Sequence, residues 1–277
     1  MTKRLAGQTR LAFNHPLLRG IVGAWLFNEV GALAARPLVN PNDKLTLTIG
    51  TTGTSWLYRP TVGYGIGTSN ATIPGSGGGA KLSTPSSSLE PSTDVSMFWY
   101  GTILGAGNLG NNPALVGITL PSSPFTGYGI YRKNGDSTAL YFAQSLGGTA
   151  NFHAVTGIVS TSVNPVSYGH SVKSGSQVGY KNGLQVGTAS DSGTMTYTSG
   201  ALYVASDPSN EDPAVLTSMV LIWNRFLSAQ EHFQLASNPF QILVPLARPP
   251  RTAIAAAPPV PYPNWWTDIQ MPQLLPQ

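Results

Sequence analysis

The stretch Val178-Gly179-Tyr180-Lys181-Asn182-Gly183-Leu184-Gln185-Val186 decides the fold class. Asn-Gly supplies the two positive φ values of a type I′ turn, and β-forming residues flank it on both sides, so the segment predicts a hairpin. Working outward, strand-like runs recur at short intervals. Residues 166–172 precede the hairpin, and 201–205 and 216–223 follow it. Further upstream lie 95–103, 114–120, 127–132, 139–144 and 154–160. Leu45, Leu47 and Ile49 alternate with Thr46 and Thr48, the pattern of a half-buried strand. Residues 21–27 are apolar on both faces, as in a buried central strand. Asn134-Gly135 is a second, looser turn signal. Many short strands with turn residues between them predict an all-β protein, a two-sheet antiparallel sandwich of the jelly-roll type.

One helix is expected. Ser228 with Glu231 three positions later forms a capping box, Asn238-Pro239 ends the segment, and Leu227, Phe233 and Leu235 would face the sheet. Outside these limits the pattern changes. Residues 1–20 show no period of two and read as an N-terminal arm. Residues 239–277 carry Pro249-Pro250, Pro258-Pro259 and Trp265-Trp266, and read as an extended Pro-rich tail. The expected organisation is therefore arm 1–20, sandwich 21–238 and tail 239–277.

Composition narrows the function classes. Charged residues make up 9% of the 277 positions, against about 25% in an average domain. Long charged helices and coiled coils are excluded. A hydrophobic share of 41% argues against a disordered chain. The net charge is +4, but 15 cations spread over the whole length form no nucleic-acid groove. There is no cysteine, so disulfides, thiolate metal sites and cysteine nucleophiles are excluded. Uncharged stretches such as 95–131 are broken by Gly, Asn and Pro and do not read as membrane helices. Lys3, Arg4 and Arg10 invite a signal-peptide reading, yet the first apolar run, 21–27, is too short and sits behind Arg19. A Ser/Thr/Gly-rich β protein without a signal peptide is expected to be a virion component, made in the host cytoplasm.

No catalytic motif is present. There is no G-x-S-x-G elbow. His15, His153, His170 and His232 are scattered and read as structural imidazoles. The run Gly75-Ser76-Gly77-Gly78-Gly79 lacks the Lys-Ser/Thr of a phosphate loop.

Four segments in order resemble the laminin-G-like branch of the concanavalin A-like lectin/glucanase superfamily. They are Gly20-Ile21-Val22-Gly23-Ala24-Trp25-Leu26-Phe27-Asn28-Glu29, the region 93–103, the Asn182-Gly183 hairpin, and Val220-Leu221-Ile222-Trp223-Asn224-Arg225-Phe226-Leu227-Ser228-Ala229-Gln230-Glu231. The end of the chain, Asn238-Pro239-Phe240-Gln241 onward, resembles laminin-G-like structural proteins of tailed bacteriophages. The resemblance implies a concanavalin A-like sandwich, with Trp25, Trp99 and Trp223 in its core. The glucanases of this superfamily carry E-x-D-x-E on one strand, placing two carboxyls about 5–5.5 Å apart. None of the 11 acids here shows that spacing within a strand, and Glu211-Asp212 would point to opposite faces. No enzyme is expected.

Two binding roles follow from the resemblance. Calcium, which takes six to eight oxygen ligands, would use Asp207, Glu211 and Asp212, the alternative being a solvated loop. Glycan binding would use Trp56, Tyr58, Arg59 and Tyr64, the alternative being strand residues packed across a sheet. The leading expectation is a non-enzymatic virion protein, a capsid decoration or external head/tail appendage. It would be anchored to other virion proteins through both termini, with Arg248, Arg251, Trp265 and Trp266 as contacts, and assembled as a homo-oligomer. The alternative is a carbohydrate-binding adhesin or lectin module recognising a surface polysaccharide. Neither nucleic acid nor membrane is an expected partner.

Overall fold

The computed structural model describes residues 9–28, 32–48, 54–61, 63–68, 79–107, 109, 112–119, 127–146, 149–173, 176–191, 195, 200–206 and 213–245. The strands are β1 (Thr9–Leu11), β2 (Ile21–Leu26), β3 (Ala34–Ala35), β4 (Leu45–Thr48), β5 (Thr54–Arg59), β6 (Gly63–Thr68), β7 (Gly79–Leu82), β8 (Val95–Ile103) and β9 (Ala114–Thr119). They continue with β10 (Tyr128–Arg132), β11 (Leu140–Leu146), β12 (Thr149–Val155), β13 (Val166–Lys173), β14 (Ser176–Lys181), β15 (Leu184–Ala189), β16 (Ala201–Ser206), β17 (Val215–Trp223) and β18 (Leu243–Pro245). The one α-helix among the described residues is α1 (Ala229–Ser237).

Two large antiparallel sheets face each other. Sheet I has the order β12-β11-β10-β9-β16-β7-β4-β3, and sheet II the order β15-β14-β13-β8-β17-β6-β5. β2 pairs with Met219–Trp223 of β17, beyond the short stretch Leu216–Thr217 that β6 takes. The Asn182-Gly183 turn joins β14 to β15 with positive φ at both positions, as type I′ requires. Between the sheets lies the main core, including Trp25, Trp99, Phe27, Ile66, Leu115, Tyr128, Phe142 and Val220, all at most 1% exposed where they are largest.

The outer face of sheet II carries a second core. Phe98, Tyr100, Leu216, Met219, Leu221 and Trp223 pack under Leu11, Leu17, Leu18, Leu227, Leu235, Ile242 and Leu243. This explains why all nine residues of β8 and of β17 are buried: both faces of each strand are covered. The covering layer consists of β1, the 3₁₀ turn Pro16–Leu18, α1, the 3₁₀ turn Pro239–Ile242 and β18, with β1 pairing antiparallel to β18.

Part of each expected terminal segment lies in that layer. Residues 9–20 do not stand away from the sandwich, because Leu11, Leu17 and Leu18 bury themselves on sheet II. Residues 239–245 do the same through Pro239, Ile242 and Leu243. The chain divides after Pro245 into a second unit, Leu246–Gln277, which lies outside the described residues.

Three local expectations also change. The run 154–160 was expected as a strand, yet β12 ends at Val155; Ile158 and Val159 are buried from a loop, so apolarity there reflects core contact and not period. β2 lies off the main strand order, between β17 and a bridge from Trp25 to Pro37, and its alternate residues enter the two cores. In α1 the capping box is present, but the buried residues are His232 and Leu235, while Phe233 is 53% exposed.

Candidate functional site

The hairpin β5–β6 brings two of the expected glycan residues together. Tyr58 and Tyr64 stand directly opposite in the register, with ring centroids 4.9 Å apart and planes tilted by 54°. Both stay open to solvent, at 54% and 46%. Large aromatic rings usually bury most of their area, so a paired, half-exposed couple is a notable surface feature. The hairpin end is tied to the rest of the body, since the Thr61 hydroxyl donates to the Val163 carbonyl at 2.8 Å. Val163 is itself 67% exposed, in a loop with exposed Ser160, Thr161 and Asn164. The turn of the hairpin that carries the aromatic pair thus meets a loop with exposed hydroxyl and amide residues.

Arg59 does not join this pair. It follows Tyr58 on an extended strand, and successive side chains point to opposite faces. Trp56 stands opposite Ile66 in the register, but its side chain lies outside the described residues. So do Asp207, Glu211 and Asp212, and so do Arg248, Arg251, Trp265 and Trp266. Among the described residues, no group of three His, Asp or Glu is placed to hold a metal ion.

Two buried histidines sit in polar networks that the sequence did not reveal. His232 Nε2 is 2.8 Å from Ser171 Oγ, which in turn lies 2.8 Å from Ser96 Oγ. The Ser96 oxygen accepts from Leu227 N–H and donates to the Arg225 carbonyl. A hydroxyl next to an imidazole has the composition of a nucleophile and its base. Here both groups are at most 1% exposed, and the Ser171 hydroxyl donates to the Leu227 carbonyl at 3.1 Å, so the pair fixes the start of α1 to sheet II. Burial holds the His232 pKa down to about 3, with nearby His170 adding to the effect. His170 faces the space between the sheets, 3.1 Å from Gln177 Oε1, and burial depresses its pKa to about 4. There, Asp191 Oδ2 accepts from Gln144 of sheet I at 2.6 Å and from Gln177 of sheet II at 2.7 Å.

The outer face of sheet I holds the residues that sequence reading missed. Tyr131 stands opposite Tyr141, and Tyr203 lies opposite both Gly117 on β9 and Lys81 on β7. A side chain at Gly129 or Gly117 would collide with the Tyr131 ring, so these glycines form the trough in which it lies. Phe152 packs against Tyr141 at 5.2 Å and stays 41% exposed. The available signal was alternation: Gly129 with Tyr131, and Tyr141 with Ala143, each share a face.

The chain defined by this fold and these surfaces is a two-sheet β-sandwich of a kind seen in solved structures. The sialidase of Trypanosoma rangeli, solved in complex with sialic acid, matches with a TM-score of 0.57 at 15% identity, over 81% of this chain and 34% of that one. The binding domain of Paraclostridial mosquitocidal protein 1 matches with a TM-score of 0.56 at 15% identity, over 81% of this chain and 53% of that one. This chain therefore spans about a third of the sialidase chain and about half of the toxin domain. At this identity the likeness is one of fold. No protein-family model matches the sequence, and no curated protein is detectably similar to it.

Proposed function

We propose that this chain is a non-enzymatic carbohydrate-binding module that engages a surface polysaccharide through the tip of the β5–β6 hairpin. The observation that carries this reading is the exposed Tyr58–Tyr64 pair, held beside the Ser160–Asn164 loop by the Thr61–Val163 hydrogen bond. Exposed aromatic rings offer apolar area at low entropic cost, which suits the C–H faces of a pyranose. Neighbouring hydroxyl and amide groups supply the donors and acceptors that sugar hydroxyls need. The fold supports the reading as a scaffold on which loops and edges carry binding function.

The test is a panel of immobilised neutral and acidic glycans probed with the full chain and with Tyr58→Ala and Tyr64→Ala. Reproducible binding that falls at least about tenfold in either variant, with an unchanged melting temperature, supports the module. A tenfold loss corresponds to about 1.4 kcal/mol, the order of one aromatic contact. Binding that survives in both variants moves the site elsewhere.

A second proposal keeps the virion reading. One observation favours it: β1 pairs with β18, with Thr9 opposite Pro245, so both ends of the described body lie side by side and offer one attachment point. Removing residues 246–277 and finding unchanged incorporation into particles would refute it.

A further inference from the structure

On the outer face of sheet I, at the β3–β4–β7 edge, three cations crowd a small area. Lys81 on β7 stands directly opposite Thr46 on β4, and Thr46 opposite Ala34 on β3. Lys44 precedes Thr46 by two positions and so shares its face. Arg36 follows Ala35, which pairs with Leu45, and this places Arg36 across from Lys44. Arg36, Lys44, Thr46 and Lys81 are all exposed. Adjacent strands run about 4.8 Å apart and rise about 3.4 Å per residue, so the Cα atoms of Lys44 and Arg36 lie about 5 Å apart and that of Lys81 about 8 to 12 Å from them.

Like charges on neighbouring strands destabilise the pairing. Among the described residues, none of the three forms an ion pair. The one ion pair among the described residues is Arg225–Glu231, on the far side of the molecule at α1. Asp43, the acid next in sequence to Lys44, is 1% exposed, and its carboxylate accepts from the Ser86 N–H, the Ser86 hydroxyl and the Asn40 amide. The Lys81 ammonium lies 5.4 Å from the centroid of the Tyr203 ring on β16, so it stays on this face but leans to the side of β7 away from β4. In a chain with 15 cations in 277 residues, three on one sheet edge are a concentration of charge.

We propose that this edge binds an acidic polysaccharide, with Arg36, Lys44 and Lys81 meeting its carboxylate or sulfate groups and the Thr46 hydroxyl meeting its ring hydroxyls. The proposal rests on the glycan reading for the class of ligand, but its location is independent of the hairpin. Nucleic acid fits less well. Single strands need exposed aromatic rings on which bases stack, and Tyr203 is 4% exposed. Duplexes are held by many phosphate contacts, more than three cations supply.

The experiment measures binding of the full chain to heparin, polygalacturonate, dextran, and single- and double-stranded DNA at about 50 and 200 mM salt. The triple variant Arg36→Gln, Lys44→Gln, Lys81→Gln is compared with Tyr58→Ala. The expected result is binding to one or both acidic polysaccharides, weaker at the higher salt and at least about tenfold weaker in the triple variant. The triple variant's melting temperature should be unchanged or raised, because repulsion is relieved, and Tyr58→Ala should leave this binding intact. Equal affinity of the triple variant and the parent would overturn the proposal. DNA bound as tightly as the polysaccharides, and lost in the triple variant, would reassign the edge to nucleic acid. Loss of polyanion binding in Tyr58→Ala alone would place all glycan contact at the hairpin and also end the proposal. Absence of binding to any glycan by either route would sink the glycan reading itself.

Discussion

Trp223 donates its indole N–H to the carbonyl of Leu17 at 2.6 Å, joining positions 206 apart in the sequence. The bond marks what residues 9–20 do: they roof the outer face of sheet II. Arg225 adds a second tie, its Nε donating to the Arg19 carbonyl at 2.6 Å. Deleting residues 1–20 should therefore uncover Trp223, Leu221 and Phe98 and leave the remainder aggregated or molten. A stable, monomeric 21–277 fragment in urea titration would show that the roof is dispensable. Trp223→Phe should cost about 1 kcal/mol, the hydrogen bond with most of the ring area kept.

Trp25 tests the main core. Its ring is fully buried between the sheets, and its N–H donates to the Asp43 carbonyl at 2.8 Å. Trp25→Ala should lower stability by about 3–5 kcal/mol or prevent folding, from lost area and the cavity left behind. Trp25→Phe should cost less, and the difference between the two variants in chemical denaturation separates packing from the hydrogen bond. Near-parent midpoints for Trp25→Ala would contradict the assignment.

The sandwich was legible because each strand's own residues dictate it. The Asn182-Gly183 turn can only reverse the chain one way, and the run Val95–Ile103 is too apolar to lie on a surface. The roof was not legible, since Leu11, Leu17 and Leu18 follow no period; their burial depends on where sheet II happens to be. The same holds for the site. Tyr58 and Tyr64 were nameable by type, and the register then placed them face to face. Arg59 lies on the other face from Tyr58, because neighbours in sequence oppose each other on a strand. The Arg36–Lys44–Lys81 edge joins residues from three separate segments, so only sheet order brings it together.

Asp191 couples the sheets. Its Oδ2 accepts from Gln144 on β11 and Gln177 on β14, and both amides belong to residues at most 1% exposed. Asp191→Ala should strand two buried donors and cost about 2–4 kcal/mol, each unsatisfied group contributing about 1–3. Asp191→Asn retains an acceptor oxygen and should recover part of the loss. Hydrogen exchange would localise the effect: protection should fall first in β14 and β15 and persist in β8 and β17. Uniform loss across both sheets would argue against a local clasp.

Acid should weaken the fold through its two buried histidines. In the native state His170 and His232 are neutral, with pKa values pressed down to about 4 and about 3, first by burial. In the unfolded chain an imidazole titrates near 6.5. The unfolded state therefore takes up protons first as pH falls. Their stabilising contribution is complete above about pH 6.5 and is lost progressively toward pH 4. Each should remove about 2 kcal/mol between pH 7 and pH 5, before most carboxylates titrate. The groups facing His232 are Tyr180, stacked at 4.0 Å, Ser171, and the nearby Glu231 and Arg225; those facing His170 are Gln177, Phe142, His153 and Asp191. Gly169 supplies the floor under the His232 ring, where any side chain would collide with it. Urea titrations from pH 8 to pH 4 should show a plateau, then a decline with a slope approaching two protons. His170→Gln should reduce that slope by about one proton while leaving the plateau in place. A profile flat to pH 5 in the parent would mean that both imidazoles protonate as readily in the native state as in the unfolded chain, and a slope of one proton that one of them does.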